Sequence, residues 1–460
     1  MEEQQQQRRI QRQVLPYRAT NQIFLQKEKN YIQQYSHIYL KRLLAIRPGL
    51  SAFLHETKVV PGIVDKVIAL KVGEHVGVVG TIYKDQKLKP NVLDEFTNDF
   101  GAVPKPILEN YCADDDALLL EDESGRCNLI GGAGVENWKE QISTLITGIV
   151  VACVGKLNEA GTFVVEKLIF PGDILPREIA PQASQENRPQ EQPNKRYLLL
   201  TSGIYAGSAA ENDSLDLQLI LDYAAGHLNA AIGSSIARVI VAGGAVSPPP
   251  VQDAFKETTT IDAKLAVETQ EILVESLRVA DRWFAELAAC VPIDVMPGEF
   301  DPCNTSLPQQ PLHHCLFPNA SRLSNNSFKC VTNPHSFVLA EDLNILGHSG
   351  QPVRDALRYM RPGTSAVDFL EWTLLKFRHL APTAPDTLAC YPFYDRDPFV
   401  IEKDNYRLVF SGGCSKFETK FTRGIRFVCI PNFRETKQIV LVDLDSPEFT
   451  ASLVTFDVQF

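Results

Sequence analysis

Several features that mark common classes of protein are absent from this chain of 460 residues. It contains no run of about 18 apolar residues, so we expect no membrane-spanning helix. The polar N-terminus, MEEQQQQRRIQRQ, lacks the apolar segment of a secretory signal, which favours a cytosolic or nuclear protein. The glycine motifs GxGxxG and GxxxxGKS/T are also missing, which excludes dinucleotide and P-loop sites of the common types.

An excess of basic residues is missing too. The chain has 45 Lys and Arg against 56 Asp and Glu, a formal net charge of -11. Because tight autonomous binding to nucleic acid usually needs a basic face, this composition argues against it. Binding through a basic partner stays open.

The ten cysteines include no CxxC pair, so we interpret them as reduced thiols in or near cores. One group, Cys303 with His313, His314 and Cys315, has residue types that bind zinc. Adjacent His-His-Cys is poor spacing for a tetrahedral site. The sequence therefore favours a structured loop over zinc, and we predict no metal site and no cofactor.

Composition and periodicity divide the chain into segments, and its length suggests about three units, with two also possible. We predict a disordered polar tail over 1–20, a helical segment over 21–50 and an OB-type barrel over 51–179. A linker or exposed loop follows over 180–196, and an α/β domain spans 197–460. The helical segment is expected to end at Pro48-Gly49.

The barrel prediction depends on short β-branched runs separated by turns that carry glycine. Barrels of this type bind single-stranded nucleic acid when their surface is aromatic and basic. The loops here carry six acidic residues instead, which favours docking to a protein: Asp114, Asp115, Asp116, Glu121, Asp122 and Glu123.

The α/β domain alternates strands with helices, and such sheets place their chemistry at the carboxyl ends of the strands. Predicted strands at 198–202, 237–244 and 291–298 each run into a loop that contains glycine. A fourth such loop, 411–415, follows the apolar run YRLVF. None of these loops carries the dense set of ionisable side chains that an active site needs.

The order of these loops resembles the calcineurin-like metallophosphoesterase superfamily, whose active members carry D-x-H, G-D, G-N-H-D/E and G-H-x-H. The resemblance implies two metal ions held by carboxylates and imidazoles. The positions that match those ligands are mostly of other residue types: Gly203 for Asp, Tyr205 for His, Gly244 for the bridging Asp, Glu299 for Asn, Phe300 for His, and Gly413 and Ser415 for the last histidines.

Three ionisable residues persist in or near this pattern, namely Asp301, His335 and His348. One carboxylate and two imidazoles on separate loops are too few for two metals. We expect the histidines to be satisfied by neighbouring groups rather than to bind metal. The ring of Phe300 is expected to help fill the space that the metals would need.

A closer resemblance is carried by longer motifs, and it extends from about Tyr35 to the end of the chain. On these motifs the chain is similar to the small (B-type) subunits of replicative DNA polymerases, and within them to the delta group: YSHIYLKRL, GTIYKDQKLKPNVL, LEDESGR, MPGEFDPCNTSLPQQPLHHCLFPNA, TNPHSF, GHSGQPVRD and PTAPDTLACYPF. The loops differ from the expected pattern at His348, Gly413 and Cys414.

That resemblance implies an OB barrel joined to an α/β calcineurin-like phosphoesterase domain that lacks its metal ligands and has no catalytic residues. It implies a nuclear accessory subunit that binds the cysteine-rich, iron-sulfur C-terminal domain of the DNA polymerase delta catalytic subunit. It also implies binding of the third subunit and, through it, an indirect link to the sliding clamp and DNA. Two alternatives stay open at this point: a metal-dependent phosphoesterase or nuclease, and a single-stranded DNA-binding module.

Overall fold

A computed structural model describes residues 12, 14–27, 30–89, 108–175, 195–208, 213–248, 263–323, 326–403 and 405–456. Strands and helices are labelled in chain order. The strands are β1 (Tyr17–Ala19), β2 (Gly62–Val64), β3 (His75–Asp85), β4 (Ala117–Glu121), β5 (Arg126–Gly131), β6 (Val150–Leu157), β7 (Thr162–Ile169), β8 (Tyr197–Thr201), β9 (Ile236–Ala242), β10 (Ile293–Met296), β11 (Phe328–Cys330), β12 (His335–Leu339), β13 (Leu343–His348), β14 (Tyr406–Cys414), β15 (Glu418–Thr422), β16 (Ile425–Pro431), β17 (Gln438–Asp443) and β18 (Ala451–Thr455). The α-helices are α1 (Ser36–Thr57), α2 (Trp138–Thr144), α3 (Asp213–Ala225), α4 (Ala230–Ser235), α5 (Ala263–Cys290), α6 (Gln351–Leu357), α7 (Ala366–Leu375) and α8 (Phe433–Thr436).

The chain divides into two compact units, and each is built from separate stretches of sequence. The barrel unit comprises Glu28–Arg177 and Pro352–Asp404. The sandwich unit comprises Met1–Lys27, Glu178–Gln351 and Asn405–Phe460. This division differs from the sequence-based boundaries, which placed 352–404 in the α/β domain. Nearly all of the predicted linker, 180–194, lies outside the described residues.

The barrel unit contains a closed β-barrel. Its strands follow the order β2-β3-β4-β5-β7-β6, and an additional antiparallel pairing of β3 with β6 closes the sheet. Buried apolar side chains of β3 and β6 pack in one core with those of helix α1. The predicted closed barrel is therefore present.

Helix α1 does not end at Pro48-Gly49 as the sequence suggested. It begins at Ser36 and continues through Pro48 to Thr57. A proline inside a helix costs about 3 kcal/mol, but the following turns bury Leu50 and Leu54 almost completely. Each fully buried leucine contributes about 1.5–3 kcal/mol, so packing on the barrel outweighs the local preference to stop.

The sandwich unit contains two six-stranded sheets. One has the order β11-β10-β9-β8-β17-β18, with β8 to β11 parallel. The other has the order β1-β12-β13-β14-β16-β15. An apolar core joins side chains of both sheets, and a second core joins the first sheet to α3 and α5. The layers are therefore helices, sheet and sheet. No helix in the described part of the chain is long and apolar enough to cross a membrane.

Part of the tail that the sequence predicted to be disordered is a strand. Residues Tyr17–Ala19 pair antiparallel with β12, and Leu15 is buried beside them. The ring of Tyr17 lies 5.5 Å from that of Phe337. Edge strands expose unpaired backbone groups, and the tail supplies partners for those of β12. Residues 1–11 and 13 lie outside the described part of the chain.

Candidate functional site

The loops that follow β8 and β9 meet at the carboxyl edge of the parallel sheet. The amide of Gly203 donates to the carbonyl of Gly243 at 2.9 Å, and that of Tyr205 donates to the carbonyl of Gly244 at 2.8 Å. This edge is where an α/β sheet normally binds its ligand. Here the two loops form backbone hydrogen bonds with each other.

Gly203 and Gly244, which the sequence pattern matched to two metal-binding aspartates, leave no room for a side chain. Both have φ +66°, which disfavours any residue with a Cβ. A Cβ on Gly203 would lie 2.3 Å from Oδ1 of Asn432, and a Cβ on Gly244 would lie 2.8 Å from the Cα of Gly203. The donor set and the space at these positions do not fit a two-metal phosphoesterase centre.

Asp301 binds backbone rather than facing open space. Its carboxylate accepts four amide hydrogen bonds, from Gly244, Ala245, Val246 and Gly298, at 2.7–3.2 Å. Burial raises the pKa of the Asp301 carboxyl, while these four donors act in the opposite direction by favouring the charged form. The side chain ties the loop after β9 to the loop after β10.

A network of neutral amide side chains lies beside these loops, and sequence reasoning did not predict it. Asn333 donates to Oε1 of Gln309 at 2.8 Å and to Oε1 of Gln351 at 3.0 Å, and Gln351 donates to Oε1 of Gln309 at 2.9 Å. Gln309 also donates to the carbonyl of Gly298, and the amide of Ser349 donates to Asn333. All three amide side chains are buried. The sequence feature that could have pointed to these three residues is their position inside the motifs LPQQPLHHC, TNPHSF and GHSGQPVRD.

The remaining loop positions lie at the surface. Glu299, Gly413 and Ser415 are exposed, and Phe300 keeps 39% of its surface in solvent. The expectation that the Phe300 ring fills the metal space is therefore wrong, because the glycine loops already close it. Tyr205 is half-buried with φ +49°, and the amide of Gly413 donates to Oγ of Ser202 at 2.8 Å.

The structure places His335 in a different cluster from Asp301. Its Nε2 lies 3.0 Å from Oη of Tyr17, and its ring stacks on Phe337 at 5.0 Å. Arg238 and Lys329 both lie over the Tyr17 ring, at 4.0 and 4.2 Å from its centre. Burial, with those two cations, lowers the pKa of His335 to about 3. This imidazole is neutral at physiological pH.

His348 is also buried, at the end of β13. Its Nδ1 accepts a hydrogen bond from the amide of Gly350 at 3.1 Å. Burial alone lowers its pKa to about 3. Among the described residues, Asp301, His335 and His348 do not form a group with ligand spacing. The group that does is His313, His314 and Cys315, without Cys303.

The acidic loops of the barrel are largely used within the barrel unit. Asp116 is buried beside Lys84 at 3.3 Å, and Asp122 accepts backbone hydrogen bonds from Val67 and from the turn at Ser124. Glu123 forms a two-pronged ion pair with Arg47 on α1. These three carboxylates already have partners inside the barrel unit. The surface therefore offers fewer unpaired acidic groups to a docking protein than the count of six acidic residues suggested.

Two known families match successive parts of this chain. Residues 34–168 match the DNA polymerase delta subunit OB-fold domain. Residues 198–416 match the family of the B subunit of DNA polymerases alpha and epsilon. Together these matches define the class: an OB-fold domain joined to a B-subunit domain of replicative DNA polymerases. The predicted OB-type barrel joined to an α/β domain is confirmed.

Relatives that match over nearly the whole chain narrow this class. The DNA polymerase delta small subunit of Oryza sativa subsp. japonica is 37% identical and covers 95% of this chain and 96% of its own. That of Arabidopsis thaliana is 39% identical and covers 92% of each. DNA polymerase delta subunit 2 of Drosophila melanogaster is 34% identical and covers 96% and 98%. The chain belongs to the family of DNA polymerase delta small subunits, as its motifs predicted.

Solved structures are more distant. An archaeal phosphodiesterase covers 56% of this chain and 99% of its own at 10% identity, with a TM-score of 0.28. A Vps29 single mutant from Entamoeba histolytica covers 57% and 99% at 14% identity, with a TM-score of 0.22. TM-scores of this size identify no function.

Proposed function

We propose that this chain is a non-catalytic accessory subunit of the DNA polymerase delta complex. In this role it bridges the C-terminal domain of the catalytic subunit to further accessory subunits in replication and repair synthesis. Membership of the delta small-subunit family supports the assignment to this complex. The same membership supports a nuclear location.

The main observation in support of a non-catalytic role is the contact between the loop of Gly203 and the loop of Gly244. A two-metal phosphoesterase needs carboxylates at both positions and space between them for the ions. In this chain both residues lack a side chain, and their backbones are in contact. We infer that Gly203, Tyr205, Gly244, Glu299, Phe300, Asp301, His335, Gly413 and Ser415 are vestigial positions of a phosphoesterase site.

A scaffold role also explains why the loops at the carboxyl edge of the parallel sheet are held by many hydrogen bonds. Asp301 and the Gln309–Asn333–Gln351 network pair with buried backbone groups and with one another at the edge of the sheet. Buried polar networks that are fully satisfied make a unique, rigid structure. A rigid body serves docking to the iron-sulfur C-terminal domain of the catalytic subunit and to the third subunit. Through these partners the chain is linked indirectly to the sliding clamp and DNA.

An assay of phosphodiester hydrolysis distinguishes a non-catalytic subunit from a metal-dependent phosphoesterase or nuclease. The purified full chain, free of tags, is incubated with Mn²⁺ and either a chromogenic phosphodiester or single-stranded DNA. We expect no turnover above buffer, because the aspartates that gather the two ions are replaced. Turnover that depends on two bound metal ions would overturn the non-catalytic assignment.

Assembly and primer extension test the scaffold assignment. We expect the chain to copurify with the catalytic subunit and its absence to destabilise the complex. Insertion of a single nucleotide by the intact catalytic domain should be unchanged. A defect in that insertion step, with assembly intact, contradicts the proposal. Tight, salt-sensitive binding of the isolated chain to single-stranded oligonucleotide would favour the third alternative, a DNA-binding module.

A further inference from the structure

A group of metal-binding residue types lies on the loop between β10 and β11, in the sandwich unit. His313, His314 and Cys315 are all exposed, and each offers one ligand atom within 4.8 Å of the others. The two imidazole rings lie 4.2 Å apart, and Sγ of Cys315 lies 3.8 Å from Nε2 of His314. Three consecutive residues thus direct donor atoms to one place.

The backbone explains how consecutive side chains come together. His313 is extended (φ −70°, ψ 138°), and a 3₁₀ turn over His314–Leu316 begins at the next residue. In a continuous strand, neighbouring side chains point to opposite faces. The change from extended backbone to a turn removes that alternation, so the three side chains can point to the same side. The sequence spacing did not predict this turn.

Buried residues on both sides hold this turn in place. Leu312 and Phe317 are buried in the core between the sheet and the helices. The ring of Phe317 packs edge-on against that of Phe284 at 5.3 Å. Inside the turn, the amide of Leu316 donates to the carbonyl of His313 at 2.9 Å. Because the backbone is already ordered, ligand binding needs little further loss of conformational freedom.

We propose that His313, His314 and Cys315 form a site for a zinc ion, with water in the fourth position. Zinc binds imidazole nitrogen at about 2.0–2.1 Å and thiolate sulfur at about 2.3 Å, so tetrahedral donors lie roughly 3.5 Å apart. Small side-chain rotations bring the three donors to that spacing. A cation at Nδ1 of His313 replaces only a long hydrogen bond, 3.3 Å, from the amide of Cys315.

The chemistry of the donors selects the metal. Two imidazoles and a thiolate suit zinc and other borderline or soft metals, while magnesium, calcium and manganese prefer oxygen. On binding, the thiol of Cys315 loses its proton to solvent and the thiolate forms the bond to zinc. Asp301, on the same loop, is not part of this group of ligands. The site requires no hydrolytic activity.

Zinc and cobalt titrations of the tag-free full chain test the site. The reduced, metal-free protein competes with a chromophoric chelator for Zn²⁺, and Co²⁺ serves as a spectroscopic substitute. We expect one equivalent of tightly bound zinc, together with a sulfur-to-cobalt charge-transfer band. Cys315→Ser should abolish the band, and both Cys315→Ser and His314→Ala should weaken zinc binding at least about tenfold.

The matched control is Cys290→Ser, since Cys290 is also exposed but lies at the end of α5 without two histidines beside it. This variant should bind zinc and cobalt like the unmodified chain. Equal zinc affinity of Cys315→Ser and Cys290→Ser would overturn the proposal, as would displacement of zinc by equimolar Mg²⁺. Because all substituted residues are exposed, unchanged thermal unfolding of the metal-free variants confirms that only the site was altered.

Discussion

Nε of Arg42 donates to Oδ2 of Asp397 across 2.8 Å, and neither side chain retains any exposed surface. The same guanidinium donates to the carbonyls of Gly148, Pro382 and Ala384. This contact joins α1 to the segment 352–404 within the barrel unit. It gives a physical reason why that segment belongs with the barrel, although in sequence it interrupts the sandwich.

Removing one partner of this pair should be costly. Arg42→Ala removes the cation from the buried Asp397 carboxylate, which keeps only its hydrogen bonds with His379 and the Phe399 amide. It also removes this donor from three buried carbonyls, so the free energy of unfolding should fall by about 3–5 kcal/mol. Arg47→Ala is the control, because Arg47 also lies on α1 and its ion pair with Glu123 is partly exposed. That pair should contribute at most about 1 kcal/mol. Urea unfolding of the two variants measures the difference. If the two variants lost the same free energy of unfolding, the buried Arg42–Asp397 pair would contribute no more to stability than the partly exposed Arg47–Glu123 pair.

A side chain at Gly244 should destabilise the sandwich unit. Gly244→Ala combines the strain of a positive φ with a Cβ placed 2.8 Å from the Cα of Gly203. Gly413→Ala is the matched control, since Gly413 also has positive φ but its nearest contact is at 3.3 Å. The control should lose about 1–2 kcal/mol from backbone strain alone. Thermal or urea unfolding should show a clearly larger loss for Gly244→Ala, and indistinguishable losses would contradict the close contact of the loops.

His348 should make stability depend on pH. Its folded pKa of about 3 lies below the ordinary value of about 6.5, so the unfolded chain binds this proton first as pH falls. Stability is therefore lost between about pH 6.5 and 3, by up to about 1.4 kcal/mol per pH unit from this group. His348→Asn keeps an acceptor for the amide of Gly350 but cannot titrate.

Urea unfolding across this range should give a shallower fall for His348→Asn than for the unmodified chain. Above about pH 7.5 the two stability curves should run parallel, because the imidazole is then neutral in both states. Curves that stay parallel at lower pH would mean that His348 is not held neutral by burial.

The amide network should tolerate no charge. Asn333→Asp replaces a donor to Gln309 and Gln351 with a carboxylate oxygen that faces two acceptors, so we expect a loss of about 3 kcal/mol or more. Asn344→Asp is the control, since Asn344 is only partly buried and donates to the nearby carbonyl of Asp342. Its loss should be within about 1 kcal/mol. A comparable loss for both variants would argue against a specific role for the network.

Local patterns predicted much of the fold. The barrel strands, the parallel strands β8 to β10 and the glycine loops after them were identified because periodicity and turn residues act over short stretches. Predictions failed where distant residues decide the outcome. Pro48 stays helical because Leu50 and Leu54 are buried on the barrel, and Tyr17–Ala19 forms a strand because β12 offers it an edge.

The candidate site shows the same limit. Residue types alone indicated which positions lack metal ligands. They did not reveal that Asp301 binds four amides, that Phe300 is exposed or that three amide side chains form a network. Each of those arrangements depends on loops that are far apart in sequence. Likewise, the convergence of His313, His314 and Cys315 depends on a turn whose ends are held by the core.

The discontinuous units have a consequence for synthesis on the ribosome. Domains generally fold as units, with the N-terminal one first as the chain emerges. Here the barrel unit needs Pro352–Asp404, and the sandwich unit needs both Met1–Lys27 and Asn405–Phe460. Neither unit has all of its parts until most of the chain has been made. A single cut between 180 and 196 would release two fragments that each lack part of a core. The protein is therefore assembled as one product, and it cannot be supplied to its complex as two independently folded halves.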